Sequence, residues 1–244
     1  MKIAAVCPTF NRPELLGQVI ACFERQTYPL RQLLILDDAG QYPDQPAGDR
    51  WRVVSHRDRY PTLGEKRNAA MAMVDPDVDA IAVWDDDDWY FPHALDACVA
   101  ALCRGRWVQP RLVLEVRQGV LCYAETAHRK DPNLPAYHGA WAFRRETIDA
   151  VGGYAAVSNG DDQELMRRTV AAVGHSVDLD PSTPPFYVYN RDPKVGHISA
   201  SPTGEKAYRA NATIDVSICR DLKPRLLVDY TTWPIDPTPR PRRW

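Results

Sequence analysis

The sequence contains no CxxC pair, no uninterrupted apolar run of transmembrane length and almost no net charge. Each absence excludes a class of protein. The six cysteines, Cys7, Cys22, Cys98, Cys103, Cys122 and Cys219, sit mostly within apolar stretches, so they read as reduced core thiols rather than as disulfides or a zinc site. In "MKIAAVCPTFNRPELL" the apolar stretch breaks at Pro8 after a few residues, which is unlike a signal peptide, and no run approaches the ~20 apolar residues that span a bilayer. A cytoplasmic chain without a transmembrane segment is expected. A formal charge of −2 and a pI near 6.3 give no overall attraction to nucleic acid or to an anionic membrane. The basic cluster of the proline-rich end, "PTPRPRRW", is the local exception, and it reads as a surface-draped terminus.

What is present is a chain of 244 residues, 45% hydrophobic, enough for one large α/β domain with a sizeable core. Short apolar runs alternate with helical patterns over the first hundred residues, the signature of βαβ units and a mainly parallel sheet. "KIAAVC", "LLILDD", "WRVVSH" and "AIAVWDD" read as successive strands. Asn11 is placed to cap a helix over "RPELLGQVIACFERQ" with Leu15, Leu16, Val19, Ile20 and Phe23 on one face, and Thr62 and Glu65 stand in capping-box spacing at the start of another. Further on, "RLVLEV" and "VLCYAE" flank a turn at Gln118 and Gly119 as a hairpin. "AWAFRR" reads as a strand before a short helix ending near Gly152 and Gly153. "DQELMRRTVAAVG" is a helix stopped by Gly174, "FYVYNR" a final strand and "GEKAYRANATIDVSICRDL" a last helix. Neither an internal repeat nor a composition break marks a linker.

The chemistry concentrates in "AVWDDDDWYFP". Two carboxylates ~6 Å apart at an effective dielectric of ~20 repel by about 3 kcal/mol, so holding Asp85, Asp86, Asp87 and Asp88 at one turn is costly, and a divalent cation would relieve it. Magnesium-type ions take carboxylate oxygens and keep positions for substrate phosphates. The loops "PTFNR", "DDAG" and "DDDD" all follow strands, which places them at the carboxyl edge of the sheet, where ligands of open α/β sheets bind. Lys66 and Arg67 fall in the first turn of their helix, where cations are unfavourable unless an anion is near, and a diphosphate on the free amides of that turn would be one. Downstream, Asp161 and Glu164 stand in D-x-x-E spacing, so Asp161 is placed to cap the helix and Asp162 is left free.

"VCPTFNRPELLGQVIACFERQTYPLRQLLILDDAG", "GEKRNAA", "WDDDDWYFPHAL" and "GGY" followed by "GDDQELMRR" resemble, in order and spacing, the family 2 type glycosyltransferases of GT-A fold, over about residues 3 to 170. A weaker echo lies in "YVYNR" and "GHIS". The resemblance implies an α/β GT-A fold: a single Rossmann-like domain over 1–244 with a mainly parallel central sheet and a smaller mixed acceptor-side sheet. Residues 1–110 would form the nucleotide-sugar-binding half, 111–200 the acceptor-side half, and 201–244 a C-terminal helix and Pro-rich tail.

It further implies a metal-dependent transferase using a nucleotide-sugar donor, UDP-linked, with Mn²⁺ or Mg²⁺. Asp85 and Asp87 match the key pair of the DxD element, with Asp87 the direct metal ligand, and Asp86 or Asp88 would contact the ribose or the transferred sugar. Pro8, Thr9 and Phe10 match the nucleoside-binding loop, Asp38 or alternatively Asp37 the residue that reads the base, and Lys66 and Arg67 the basic segment near the donor. The base, in a single inverting displacement, would be Asp162, with Asp161 the alternative where the family usually has Glu-Asp. His197 sits where related enzymes bring a C-terminal residue back to the metal or diphosphate, although a lone surface histidine is the other reading. His138 and Trp141 would border the donor sugar, with packing the alternative for Trp141, and Trp84 and Trp89 would shield the acidic turn.

A sugar nucleotidylyltransferase would need a glycine-rich phosphate loop after the first strand, and "PTFNRPE" contains no glycine. A haloacid-dehalogenase-like phosphatase would want Thr or Val where Trp89 stands. A catalytically inactive nucleotide-sugar binding module would not need carboxylates at both proposed sites. The acceptor is not legible: a glycan, a lipid-linked sugar, a small molecule, a protein or a modified DNA base all remain open, as does the oligomeric state.

Overall fold

A computed structural model describes residues 1–117, 120–125 and 137–190. Strand β1 (Ile3–Thr9) leads through helix α1 (Pro13–Glu24) to β2 (Arg31–Asp37) and β3 (Trp51–Ser55), then helix α2 (Leu63–Ala72) and β4 (Ala80–Val83). Short β5 (Trp89–Tyr90), helix α3 (Ala94–Leu102) and β6 (Trp107–Val108) precede the hairpin β7 (Leu112–Arg117) and β8 (Val120–Glu125). A 3-10 turn at His138–Ala140, β9 (Ala142–Arg144), α4 (Arg145–Ala150), α5 (Asp161–Val173) and β10 (Tyr187–Asn190) complete the described chain. Six strands form one sheet in the order β3-β2-β1-β4-β9-β6, parallel from β3 to β4 and antiparallel at β9, and four form a mixed sheet, β5-β10-β7-β8. This is the mainly parallel centre and smaller second sheet that the sequence pattern and resemblance led one to expect. No helix among the described residues is long and apolar enough to cross a membrane.

All seven residues of β1 are buried, which follows from a parallel sheet covered on both faces. Its side chains alternate between two cores. Ile3, Ala5 and Cys7 pack with Val19, Cys22 and Phe23 of α1 and Leu95, Cys98 and Leu102 of α3. Ala4 and Val6 join Leu34, Leu36, Ile81 and Val83 against Ala70 and Met71 of α2 and Leu165 and Met166 of α5. Burying one such aliphatic side chain contributes about 1.5–3 kcal/mol. Cys7, Cys22, Cys98 and Cys103 are free thiols, the first three buried and Cys103 exposed.

The helix starts differ from the sequence expectation in two places. Asn11 does not cap α1: it takes a left-handed backbone, φ 53°, and its side chain accepts from the Gln41 amide (3.2 Å), while Arg12 occupies the cap position without a capping bond. Pro13 at the first helical position explains why a cap is dispensable, since it has no N–H to satisfy. Asp161 does not cap α5 either. Gly160, at φ 74°, is the cap residue, and Asp161 is the first residue of the helix itself.

Thr62 caps α2 as its spacing predicts. Its hydroxyl accepts from the Glu65 amide (3.2 Å) and donates to the Glu65 carboxylate (2.7 Å). The remaining early amides of α2 are answered by the chain: Leu63 N–H donates to the Ser158 hydroxyl (3.3 Å), Gly64 N–H to the Val157 carbonyl (3.1 Å) and Lys66 N–H to the Thr62 carbonyl (3.1 Å). Asn68 fastens the same segment, exchanging two 2.8 Å bonds with the backbone of Tyr154. Residues 153–158 are thus seated on the start of α2.

The helix expected over "GEKAYRANATIDVSICRDL", the tail, the turn at Gln118 and Gly119, and most of "AETAHRKDPNLPAYHG" lie outside the described residues.

That docking requires a glycine, because a methyl on Gly64 would overlap the Ala155 carbonyl oxygen, whereas Gly17, exposed in α1, has nothing within 4 Å of an added methyl. Gly64→Ala is expected to destabilise the chain by about 1–3 kcal/mol through overpacking. Gly17→Ala should stabilise it by about 0.5–1 kcal/mol through helix propensity. Urea unfolding of the two variants checks both signs.

Candidate active site

The carboxyl ends of β1, β2 and β4 bring the three polar loops together, with the starts of α2 and α5 beside them. Pro8 and Thr9 are the last residues of β1, paired in register with Leu36 and Asp37. The Thr9 hydroxyl donates to Asp86 (2.7 Å), and Arg12 donates to Asp86 (2.7 Å) and Asp87 (3.1 Å). Asp88 turns the other way, into the second sheet, where it accepts from the Tyr187 hydroxyl and the Asn190 amide (2.9 Å). Burial, together with the neighbouring Asp87, raises the Asp86 carboxyl above its ordinary value; burial, with Asp87 and Asp85, raises Asp88 well above it. These shifts register burial first and the crowding of negative charge second.

Asp85 is the most open of the four, with a quarter of its side chain exposed. Its amide donates to the Tyr90 hydroxyl (2.8 Å), and that hydroxyl donates to the Gly139 carbonyl (3.1 Å). Gly139 lies so close that a methyl there would stand 2.7 Å from the Asp85 carboxylate and 2.9 Å from the Tyr187 hydroxyl. The 3-10 turn is therefore moulded against the acidic run.

Asp37 and Asp38 have separate structural partners. Asp37 accepts from the amides of Ala39 (3.0 Å) and Gln41 (2.8 Å) and from the Ser55 hydroxyl (2.7 Å), closing the loop after β2. Asp38 accepts from the Tyr60 amide (3.0 Å) and pairs with Lys66, whose ammonium also reaches the Thr9 carbonyl. Lys66 and Asp38 are each only 3% exposed, and burial lowers the Lys66 pKa despite the carboxylate. Phe10 faces Arg59, whose guanidinium lies 4.1 Å from the ring centre, a cation–π distance.

Arg67 joins the two halves. It pairs with Asp161, stands 3.9 Å from Asp85 and lies over the Tyr154 ring at 5.3 Å. Tyr154 meets His138 Nε2 through its hydroxyl (2.9 Å). Burial and the nearby Arg67 hold the His138 pKa well below its usual value, so this imidazole is neutral at pH 7. Asp162, one residue along α5, is half-buried and accepts from the Gln163 amide (2.8 Å). Burial first, and Asp161 second, raise its pKa, while that amide and Arg67 oppose the rise.

Several sequence-based assignments change on this geometry. The early amides of α2 are occupied by Ser158, Val157 and Thr62, so that helix start has none among them to give a diphosphate, and the anions answering Lys66 and Arg67 are the protein's own Asp38 and Asp161. Trp141 is fully buried against Trp107, Phe143 and His138 and has no face for a sugar; it packs the core. Asp88, 2% exposed and bonded to β10, is likewise turned away from a sugar or ribose. Trp84 stacks on Tyr90 at 3.6 Å in the core beneath the acidic turn. His197 lies outside the described residues.

Arg12, Tyr154, Tyr187 and Gly139 carry no role in the sequence reading. Arg12 stands within the motif "PTFNRPE" and was legible as a cation near the first strand's end. Gly139, Tyr154 and Tyr187 take their roles from contacts across 49, 86 and 99 positions, which no local pattern announces.

As a metal site, the acidic turn offers hard oxygen donors. Among the described residues no group of three or more His, Cys, Asp or Glu is placed to hold an ion alone. An ion of the magnesium type is commonly held by one or two carboxylates together with substrate phosphates. Asp85 and Asp87 fit that pattern, with Arg12 on Asp87 in this arrangement.

The sequence profile described as Glycosyl transferase family 2 matches residues 4–157. Among curated proteins, none matches the sequence. Among solved structures, TarS 1–349 of S. aureus in complex with UDP-GlcNAc is similar at 13% identity and a TM-score of 0.66, over 82% of this chain and 61% of that one. The same protein with UDP gives 14%, 0.62, 80% and 62%. The mannosyltransferase PcManGT from Pyrobaculum calidifontis, in complex with GDP-Man and Mn²⁺, gives 17%, 0.57, 86% and 61%. The chain spans less than two thirds of the length of these structures, and the likeness at such identity shows a shared GT-A fold.

The buried Lys66–Asp38 pair gives a test of structural role. Lys66→Met leaves a buried carboxylate without its cation and is expected to cost about 3–5 kcal/mol of stability. Unfolding by guanidinium checks this, and a variant as stable as the parent would contradict the assignment.

Proposed function

The chain belongs to glycosyl transferase family 2, and on that premise we propose that it moves a sugar from a UDP-linked donor to an acceptor hydroxyl by a single inverting displacement, with Asp162 as base. The observation that carries the reading is the pairing of two acids at one sheet edge: Asp85 on the acidic turn and Asp162 at the start of α5, both retaining exposure, with Arg67 between them. The solved complexes of TarS with UDP-GlcNAc and of PcManGT with GDP-Man and Mn²⁺ support a nucleotide-sugar donor and a divalent ion.

Thr9 and Phe10 would frame the nucleoside, and Asp38, fixed by Lys66 and Tyr60, would meet the base. Asp85 and Asp87 would hold Mn²⁺ or Mg²⁺, which when bound would offset the charge of the departing diphosphate. Asp162 would take the proton from the acceptor hydroxyl as its oxygen attacks the anomeric carbon and the bond to the diphosphate breaks. A base whose pKa is raised toward the working pH accepts that proton more readily than an ordinary aspartate. Acceptor selection would fall to the second sheet and the segments beside it.

Release of UDP from UDP-sugars, in the presence of Mn²⁺, tests this. Asp162→Asn should lower the rate by at least about 10²-fold, and Asp87→Ala or EDTA should remove it. Because Asp162 must be ionised to act and its pKa is raised, the rate should climb with pH along an acid limb lying above the ordinary aspartate value of ~3.9. A near-normal rate in Asp162→Asn would remove its assigned role.

A further inference from the structure

Arg67 reaches from α2 to α5 across 94 positions of sequence to pair with Asp161, and both side chains are almost wholly buried, 12% and 5% exposed. On its other side the same guanidinium stands 3.9 Å from Asp85 and over the Tyr154 ring. Tyr154 is held in turn by Asn68, one residue after Arg67, through both of its backbone polar groups. Arg67 is thus gripped from the acidic turn, from the loop before α5, and from the first residue of α5. A planar guanidinium suits this, because its donors lie in a fixed fork and less freedom is lost per bond than with lysine.

We infer that the Arg67–Asp161 pair is a strut that sets Asp162 at a fixed offset from the Asp85 turn, making Arg67 and Asp161 positioning residues for the base. The inference rests on the reading of Asp162 as that base. Asp161 is adjacent to Asp162 on the first turn of α5, so anchoring one fixes the other. Arg67 also touches the acidic turn, so one side chain contacts both the Asp85 turn and the start of α5. Misplacing a reacting group by about 1 Å can cost about 10²-fold in rate. The groups that face Asp162 are Asp161 on its own helix, Arg67 from α2 and Tyr154 from the preceding loop. Asp161 favours its protonated form and Arg67 its ionised form.

The two partners therefore act on the acid limb in opposite directions, which reports that both charges stand beside Asp162, while the split between kcat and KM reports the positioning. In full-chain assays of UDP-sugar turnover with Mn²⁺, Asp161→Asn should lower kcat by about 10- to 100-fold with little change in donor KM, and move the acid limb to lower pH. Arg67→Met should lower kcat and move the limb to higher pH. Because a lone buried charge can itself unfold a chain, the double variant Arg67→Met with Asp161→Asn, which leaves neither charge, is the second arm. Its limb should return toward the parent's while kcat stays low. Carbon-13 NMR titration of the Asp162 carboxyl, without substrate, should show the same shifts.

A parent whose turnover depends on Asp162 but whose limb ignores both single variants overturns the strut alone, as does a double variant with parental kcat. A parent whose turnover survives Asp162→Asn overturns the reading beneath it.

Discussion

Four adjacent carboxylates at the end of a buried strand cannot be held together unless their repulsion is answered, and the residues around them are arranged to answer it. Arg12 and Thr9 take Asp86, Arg12 also takes Asp87, and Tyr187 and the Asn190 amide take Asp88. The partners come from β1, from the residue before α1 and from β10, so answering the turn also fastens α1 and β10 to the central sheet. Asp85 is left as the accessible member, beside Arg67. The acidic turn is thus a point at which the two sheets are joined.

The same economy governs the other acids of this edge. Asp37 closes its own loop, Asp38 neutralises Lys66 and Asp161 neutralises Arg67. What remains partly exposed is Asp85 on one side and Asp162 on the other. In the proposed displacement, Asp85 would face the diphosphate and its metal and Asp162 the acceptor.

How much of this could be read from the sequence depended on the range of the interaction. Capping of α2 by Thr62, the stop at Gly174 and the antiparallel hairpin of β7 and β8 rest on neighbours a few residues apart and were legible. The strand-end position of the acidic turn was also legible, because alternation of strand and helix fixes which edge the loops share. The cap at Asn11 was not, since Pro13 made it unnecessary, and the cap at Asp161 was not, since a glycine displaced it. Lys66 looked like an exposed cation awaiting a phosphate; its burial against Asp38 depends on a contact 28 positions away. Trp141, beside a strand, could stack or pack, and burial against Trp107 and Phe143 decided for packing.

The carboxylate turn as a site shared between metal and nucleotide diphosphate is tested most directly by binding, without any acceptor. Electron paramagnetic resonance of Mn²⁺ titrated with the full chain should show weak binding alone and much tighter binding once UDP is present, lost in Asp85→Asn and Asp87→Asn. Manganese that binds equally with and without UDP, or that ignores both substitutions, would contradict it.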